Sequence, residues 1–276
     1  MTTWFITGCS TGLGRSLAEA VLARGDNAVV SARTIDNVHD IAQKYPETSL
    51  AVALDVTDAN QVLTAASAAE KRFGGIDVLV NNAGYGYRAA IEEGDVADVE
   101  KLFATNFFGA IAMIKAVLPS MRVRRSGAIV NISSIGARIS PVGSGYYAAS
   151  KSALESISFS LGKELAPLGI SVTVIEPGGF RTDFAGRSLE QAATPIADYA
   201  DTAGRRRKEF DTTHGTQQGD PDRAAQVIIE AATSPNPPSI LLLGSDSFDA
   251  FGEALRSLLA ETDARAEQSR STDFPQ

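Results

Sequence analysis

The stretch WFITGCSTGLGRSLAEAVLARG, Trp4 to Gly25, decides the fold. It reads as a short apolar strand, a glycine turn and an amphipathic helix, in that order. Gly8, Gly12 and Gly14 stand in the pattern GxxxGxG. Glycine lets such a turn close and lets backbone approach a ligand, while the free N–H groups opening the next helix favour an anion. Leu13, Leu17 and Val21 give that helix a sheet-facing stripe. Tight turns of this kind also use glycine for steric reasons alone. The position directly after the first strand favours a nucleotide, and makes Gly8, Ser10, Thr11, Gly12, Leu13 and Gly14 a candidate pyrophosphate cradle.

The same rhythm continues outward. Apolar runs at Trp4–Thr7, Ala28–Ala32, Leu50–Leu54, Val78–Asn81, Ala128–Ile132, Ile170–Ile175 and Ile240–Leu243 are continuous, not alternating, which predicts strands buried on both faces. Helical patterns fall between and after them at Arg15–Arg24, Asn37–Lys44, Asn60–Phe73, Val96–Met121, Tyr147–Ala166, Pro221–Ala232 and Phe248–Glu261. Strand–helix alternation of this kind predicts an α/β fold, a doubly wound parallel sheet of seven strands with helices on both faces. We expect a single Rossmann domain over residues 1–262. The polar stretch 182–219 breaks the alternation and is expected to form a small helical lid, and residues 263–276 a frayed tail. The Val96–Met121 helix is apolar almost all round, which suits either deep burial or a subunit contact in a homodimer or homotetramer.

Composition narrows the partners. The 276 residues are 44% apolar, ample for a core, and carry a formal net charge of −8. That balance argues against nucleic acid, and the short basic runs at Arg122–Arg125 and Arg205–Lys208 read as solvated segments. A lone cysteine, Cys9, makes no disulfide or zinc cluster and reads as a small buried residue. With no charged leader and no apolar run near 18 residues, the expectation is a cytoplasmic protein without a membrane span.

Two readings compete at the turn. Gly8 to Gly12 also satisfies GxSxG, the nucleophile elbow of serine hydrolases, with His214 the only later candidate of promise for its histidine. The elbow normally follows a mid-sheet strand, and it would leave the remaining features without a role. Farther on, the second strand ends in Arg33, where a dinucleotide site meets the adenosine ribose. A guanidinium can hold a 2′-phosphate bidentately, which favours NADP; Asp36 three residues on keeps NAD open.

The segment GSGYYAASKSALES, Gly143–Ser156, places Tyr147 four residues before Lys151 and Tyr146 five before it. Four residues share a helix face and five do not, so Tyr147 pairs with the lysine and Tyr146 packs. An ammonium near a phenol should lower its pKa by about two units, into the range useful for proton transfer. Ser133 and Ser134 end the strand GAIVNISS, where parallel sheets place ligands, and Asn106 sits among apolar residues and needs partners. Its amide satisfies backbone or holds a relay water.

Taken together, TGxxxGxG at Thr7–Gly14, NNAG at Asn81–Gly84, Asn106, the serine strand, YxxxK and PGGFRT resemble the single-domain branch of the short-chain dehydrogenase/reductase superfamily, over about residues 3–260. That resemblance implies Tyr147 as acid/base, Lys151 as the group that lowers its pKa and binds the nicotinamide ribose, Ser134 as the orienter of the substrate oxygen, and Asn106 as anchor of a relay water. It further implies Asp55 and Val56 near adenine, Asn82, Ala83 and Gly84 along the cofactor groove, and Pro177, Gly178 and Thr182 around the carboxamide. The implied activity is hydride transfer between NADP, or NAD, and a small carbonyl or secondary alcohol, with Tyr85, Tyr87, Phe180 and Phe184 as candidate pocket walls. A nucleotide-binding sensor without turnover is the second reading; it would need the glycine turn but not the tetrad.

Overall fold

A computed structural model describes residues 1–186, 188–213 and 215–274, with side chains described outside 185 and 210–213. The strands are β1 (Thr3–Ile6), β2 (Asn27–Ala32), β3 (Ser49–Ala53), β4 (Val78–Asn81), β5 (Gly86–Arg88), β6 (Gly127–Ile132), β7 (Ile170–Pro177), β8 (Leu189–Gln191) and β9 (Ile240–Leu243). The helices are α1 (Gly12–Ala23), α2 (Asp36–Lys44), α3 (Ala59–Phe73), α4 (Val96–Phe103), α5 (Ala110–Arg124), α6 (Gly136–Ile139), α7 (Gly145–Leu165), α8 (Arg205–Thr213), α9 (Pro221–Ala232), α10 (Ser245–Ala264) and α11 (Ala266–Arg270). Seven strands pair in parallel in the order β3-β2-β1-β4-β6-β7-β9, as a Rossmann-like sheet requires.

The continuous apolar runs have the predicted cause. Within β1, Trp4 and Ile6 enter one core with Leu17, Val21 and Ile228, while Phe5 enters the other with Leu79, Met113 and Ile129. Both sheet faces are therefore dry. Each large side chain so buried contributes about 1.5–3 kcal/mol. The strand order reverses between β1 and β4, and such a switch point opens a crevice at the carboxyl ends.

Several expectations change. The long central helix is continuous over Val96–Arg124 but contains a π-helical turn at Ala104–Gly109. By length and composition alone it could cross a membrane, with an 18-residue window of mean hydropathy 1.6, contrary to the reading that no run came close. Met113, Ile114, Val117 and Met121 spend one face on the core beneath the sheet, as a core helix does, while Phe108 is 62% exposed on the other. The lid segment is not purely helical: β8 pairs with β5, Gly86 opposite Leu189. The C-terminal stretch expected to fray carries α11, which is exposed. Within the basic run, Arg207 is paired to Glu93 and not solvated.

Candidate active site

The glycine turn fits a dinucleotide by construction. Gly8 and Gly12 have φ of +71° and +62°, the left-handed region that side chains disfavour. At Gly14 a Cβ would stand 2.3 Å from Asn82 Nδ2 and 2.5 Å from Gly8 O, so helix, turn and β4 close on a point without room for one. Thr11 provides no side-chain cap, which leaves the first N–H groups of α1 open to an anion. Asn82 binds the turn from below, donating from Nδ2 to Thr7 O at 2.8 Å and Gly8 O at 3.0 Å. Thr7 Oγ1 accepts from the N–H groups of Asn82 and Ala83, both at 2.9 Å. Thr182 lies 3.4 Å from where a Gly12 Cβ would be.

Arg33 is exposed at the end of β2. Asp55 Oδ1 accepts from the Thr57 N–H and hydroxyl at 2.9 and 2.7 Å, an Asx turn that orients the loop after β3. Val56 is buried, with its side chain against Gly109 in the π-helical turn, so only its backbone can face a ligand.

The predicted tetrad gathers at the carboxyl end of β6. Ala83 packs on Gly8, and at the adjoining Gly84 a Cβ would stand 3.0 Å from Asn106 Oδ1 and 3.3 Å from Lys151 Nζ. Gly84 thus links the glycine turn to the Tyr147 helix. Tyr147 is hydrogen-bonded to Ser134, and Ser134 Oγ accepts the Gly136 N–H at 3.0 Å, which fixes that hydroxyl. Pro177 ends β7 and Gly178 follows it, with Asp246 pressed over Gly178.

Two chemical expectations are corrected here. Burial raises the Tyr147 phenol to about 12, outweighing the Ser134 hydrogen bond that lowers it, although the ring keeps partial exposure. Lys151 does not pull it down in this arrangement. Its own burial lowers the lysine to about 8, and Nζ donates to Ile132 O at 2.8 Å. Asn106 spends its amide on protein: Nδ2 donates to Tyr85 O at 2.9 Å and Ser150 Oγ at 3.1 Å, and Oδ1 accepts the Tyr85 N–H at 3.0 Å. The side chain secures the loop after β4.

The proposed walls divide. Phe184 stands 5.8 Å from the Tyr147 ring, centre to centre, and with Leu189 closes over Gly86. Tyr87 is core, its Oη accepting the Asp95 N–H, and Phe180 packs on Gly219, so neither lines the site. Tyr146 does pack, donating to Ile91 O at 2.6 Å. Cys9 is buried, donates Sγ–H to Ile6 O, and is raised to about 12 by burial, which suits no nucleophile. His214 lies outside the described residues.

Sequence reasoning missed the buried polar layer behind the tetrad. Asn81 Nδ2 donates to Asn131 Oδ1, and Asn131 Nδ2 to Ser158 Oγ, both at 2.8 Å, joining β4, β6 and α7. Ser133 donates to Glu155, and Arg138 bridges Glu155 and Glu176. Polar residues inside apolar strands were the available signal.

Fold and site together define a nucleotide-binding α/β protein with a Ser–Tyr–Lys centre. The short chain dehydrogenase family matches over residues 2–193. An oxidoreductase of Botryotinia fuckeliana, BOA17, is 39% identical over 96% of this chain and 97% of its own. A short-chain dehydrogenase structure from Streptomyces avermitilis superposes with TM-score 0.92 at 38% identity, covering 99% of this chain and 100% of that one. ElxO with NADP bound is 26% identical with TM-score 0.74, over 90% and 99%. A Burkholderia phymatum member in complex with NAD, at 22% and 0.78 over 100% and 96%, shares the fold. The chain belongs to the short-chain dehydrogenase family and is an oxidoreductase of that family.

Proposed function

We propose that the chain is an NADP-dependent oxidoreductase moving hydride between a nicotinamide and a carbonyl or secondary alcohol. The observation that carries the reading is the convergence of Ser134, Tyr147 and Lys151 beside Gly84, whose neighbour Ala83 lies against the glycine turn. The uncapped start of α1 and the left-handed Gly8 and Gly12 suit a pyrophosphate, Arg33 suits a 2′-phosphate, and Pro177, Gly178 and Thr182 suit the nicotinamide end. The likeness to ElxO with NADP bound supports a nicotinamide cofactor.

A bound nicotinamide supplies or accepts the hydride. Ser134 orients the substrate oxygen. Tyr147 gives that oxygen its proton in reduction, the direction suited to a phenol held protonated, and takes it back in oxidation. Lys151 contributes positive charge near the ring and a ribose contact. Phe184 and Leu189 exclude water above. The exposed outer face around Phe108 is proposed as a contact in a homodimer or homotetramer.

The test is a panel of aldehydes, ketones and secondary alcohols with NADPH, NADH and their oxidised forms, followed by nicotinamide absorbance. Turnover with a preference for the phosphorylated cofactor is expected. No turnover with any pair contradicts the reading.

A further inference from the structure

Behind the Tyr147 helix lies a buried ionic cluster for which hydride transfer has no direct use. Glu155 stands on α7, one turn beyond Lys151, and Glu176 at the end of β7 just before Pro177. Their exposures are 3% and 0%. A single guanidinium, Arg138 of α6, serves both: Nη2 meets Glu155 Oε2 and Glu176 Oε1, each at 2.9 Å, and Nε donates to Glu176 Oε1 at 3.0 Å. The rings of Phe159 and Phe251 hold that guanidinium at 5.5 and 5.4 Å from their centres. Ser133, beside Ser134, donates to Glu155 Oε1 at 2.5 Å.

The donors do not suffice. Two carboxylates have one cation between them, and Glu176 Oε2 is buried without a hydrogen-bond partner. An unsatisfied carboxylate oxygen in such a place is costly, and a proton relieves it, because a carboxyl can donate where two carboxylates only repel. With one proton the cluster is neutral; without it, the cluster carries one negative charge in a dry interior. The charged groups facing Glu155 are Glu176 from β7, Arg138 from α6 and Lys151 from its own helix; β6 adds the Ser133 hydroxyl, while α10 lays the Phe251 ring on Arg138 and donates from Ser247 to the Glu176 carbonyl. In keeping with this, burial first and then the Glu176 charge raise Glu155 to about 7, against the pull of Ser133 and Arg138.

We propose that Glu155 and Glu176 hold one proton between them, and that Glu155 is a positioning residue whose ionisation sets the charge of Lys151 one helical turn away. The inference rests on the Tyr–Lys reading above and extends it to regulation by pH. As the pH rises the pair releases its proton to bulk water on the Arg138 side, which is 30% exposed. The carboxylate so formed favours the Lys151 ammonium, the direction in which Glu155 already acts on it. Lys151 thereby stays charged to a higher pH than burial alone would allow.

The two carboxyls are not equivalent, and this gives the test. Glu155→Gln leaves Glu176 paired with Arg138 and removes the charge nearest the lysine. Glu176→Gln leaves Glu155 ionised and paired. A purely structural cluster would make the two variants alike. With labelled lysine, and Lys151→Met to assign the signal, magnetic resonance should show the Lys151 midpoint falling by about one pH unit in Glu155→Gln, and unmoved or raised in Glu176→Gln. The alkaline limb of kcat/KM should move with it. Equal shifts, or none, overturn the proposal.

Infrared difference titration of the unsubstituted protein requires no variant to fold. It should show a buried carboxyl proton lost in the neutral range, and a spectrum without that loss also overturns the proposal. Neither spectroscopic readout needs turnover. An inactive protein that shows the split refutes the oxidoreductase reading and leaves the linked pair standing, whereas an active one without it does the reverse.

Discussion

Lys151 Nζ lies 5.9 Å from the centre of the Tyr147 ring while donating to the Ile132 carbonyl at 2.8 Å. The ammonium is thus directed to backbone, not to the phenolic oxygen. Spacing on a helix face brought the two side chains together, as four residues must. It did not settle which partner the lysine would take, and the nearer carbonyl won. The resting phenol is consequently a proton donor, and conversion to a base depends on what else enters the site.

That arrangement has a stability signature. Lys151 is lowered from 10.5 to about 8, so the unfolded chain binds more protons between those values and stability rises with pH across that window. Tyr147 is raised from 10.0 to about 12, so its contribution is present below 10 and lost as pH climbs to 12. Urea unfolding at pH 8 and pH 10 should show the unsubstituted protein gaining about 2 kcal/mol relative to Lys151→Met. A constant difference would contradict the burial of a charged lysine.

At the glycine turn, Gly14→Ala should disrupt both fold and cofactor site, because the new methyl meets Asn82 Nδ2 and Gly8 O within 2.5 Å. The expected cost is roughly 1–3 kcal/mol in thermal or urea unfolding, with cofactor titration weakened as well. Unchanged values for both would mean the turn is looser than described.

The proposed preference for NADP rests on Arg33. Arg33→Asp should weaken NADPH by roughly 10- to 100-fold and leave NADH little changed, since an exposed aspartate repels only the 2′-phosphate. Equal weakening of the two would remove Arg33 from that role.

The segment after β7 is anchored at Glu93, whose Oε1 accepts the Ile196 N–H at 2.9 Å and whose Oε2 accepts the Ala90 N–H at 2.7 Å and pairs with Arg207. Glu93→Ala should raise KM several-fold and speed limited proteolysis within 182–219, with the core intact. An unaltered cleavage rate would argue that other contacts anchor this segment.

How much of this the sequence disclosed follows from what periodicity can carry. The seven sheet strands stood out because dryness on both faces makes each an unbroken apolar run, as in Trp4, Phe5 and Ile6. Strands β5 and β8 did not, being three residues each and defined by one another. Tyr147, Lys151, Ser134 and Asn106 were legible as a set, yet the bonds Asn106 makes with Tyr85 and Ser150 were not. Arg207 looked solvated because its partner Glu93 lies 114 residues away. Glu155, Arg138 and Glu176 were passed over for the same reason: each is an ordinary charge on its own element, and only the fold shows that they share one dry space.

The central claim is that Tyr147 transfers the proton that accompanies hydride transfer. Tyr147→Phe keeps the ring that packs near Phe184 and removes only the hydroxyl, so the decisive measurement is kcat/KM of this variant beside its affinity for NADPH. The account predicts a loss of roughly 10²- to 10⁴-fold in kcat/KM with cofactor binding retained. Full turnover in the variant would contradict it.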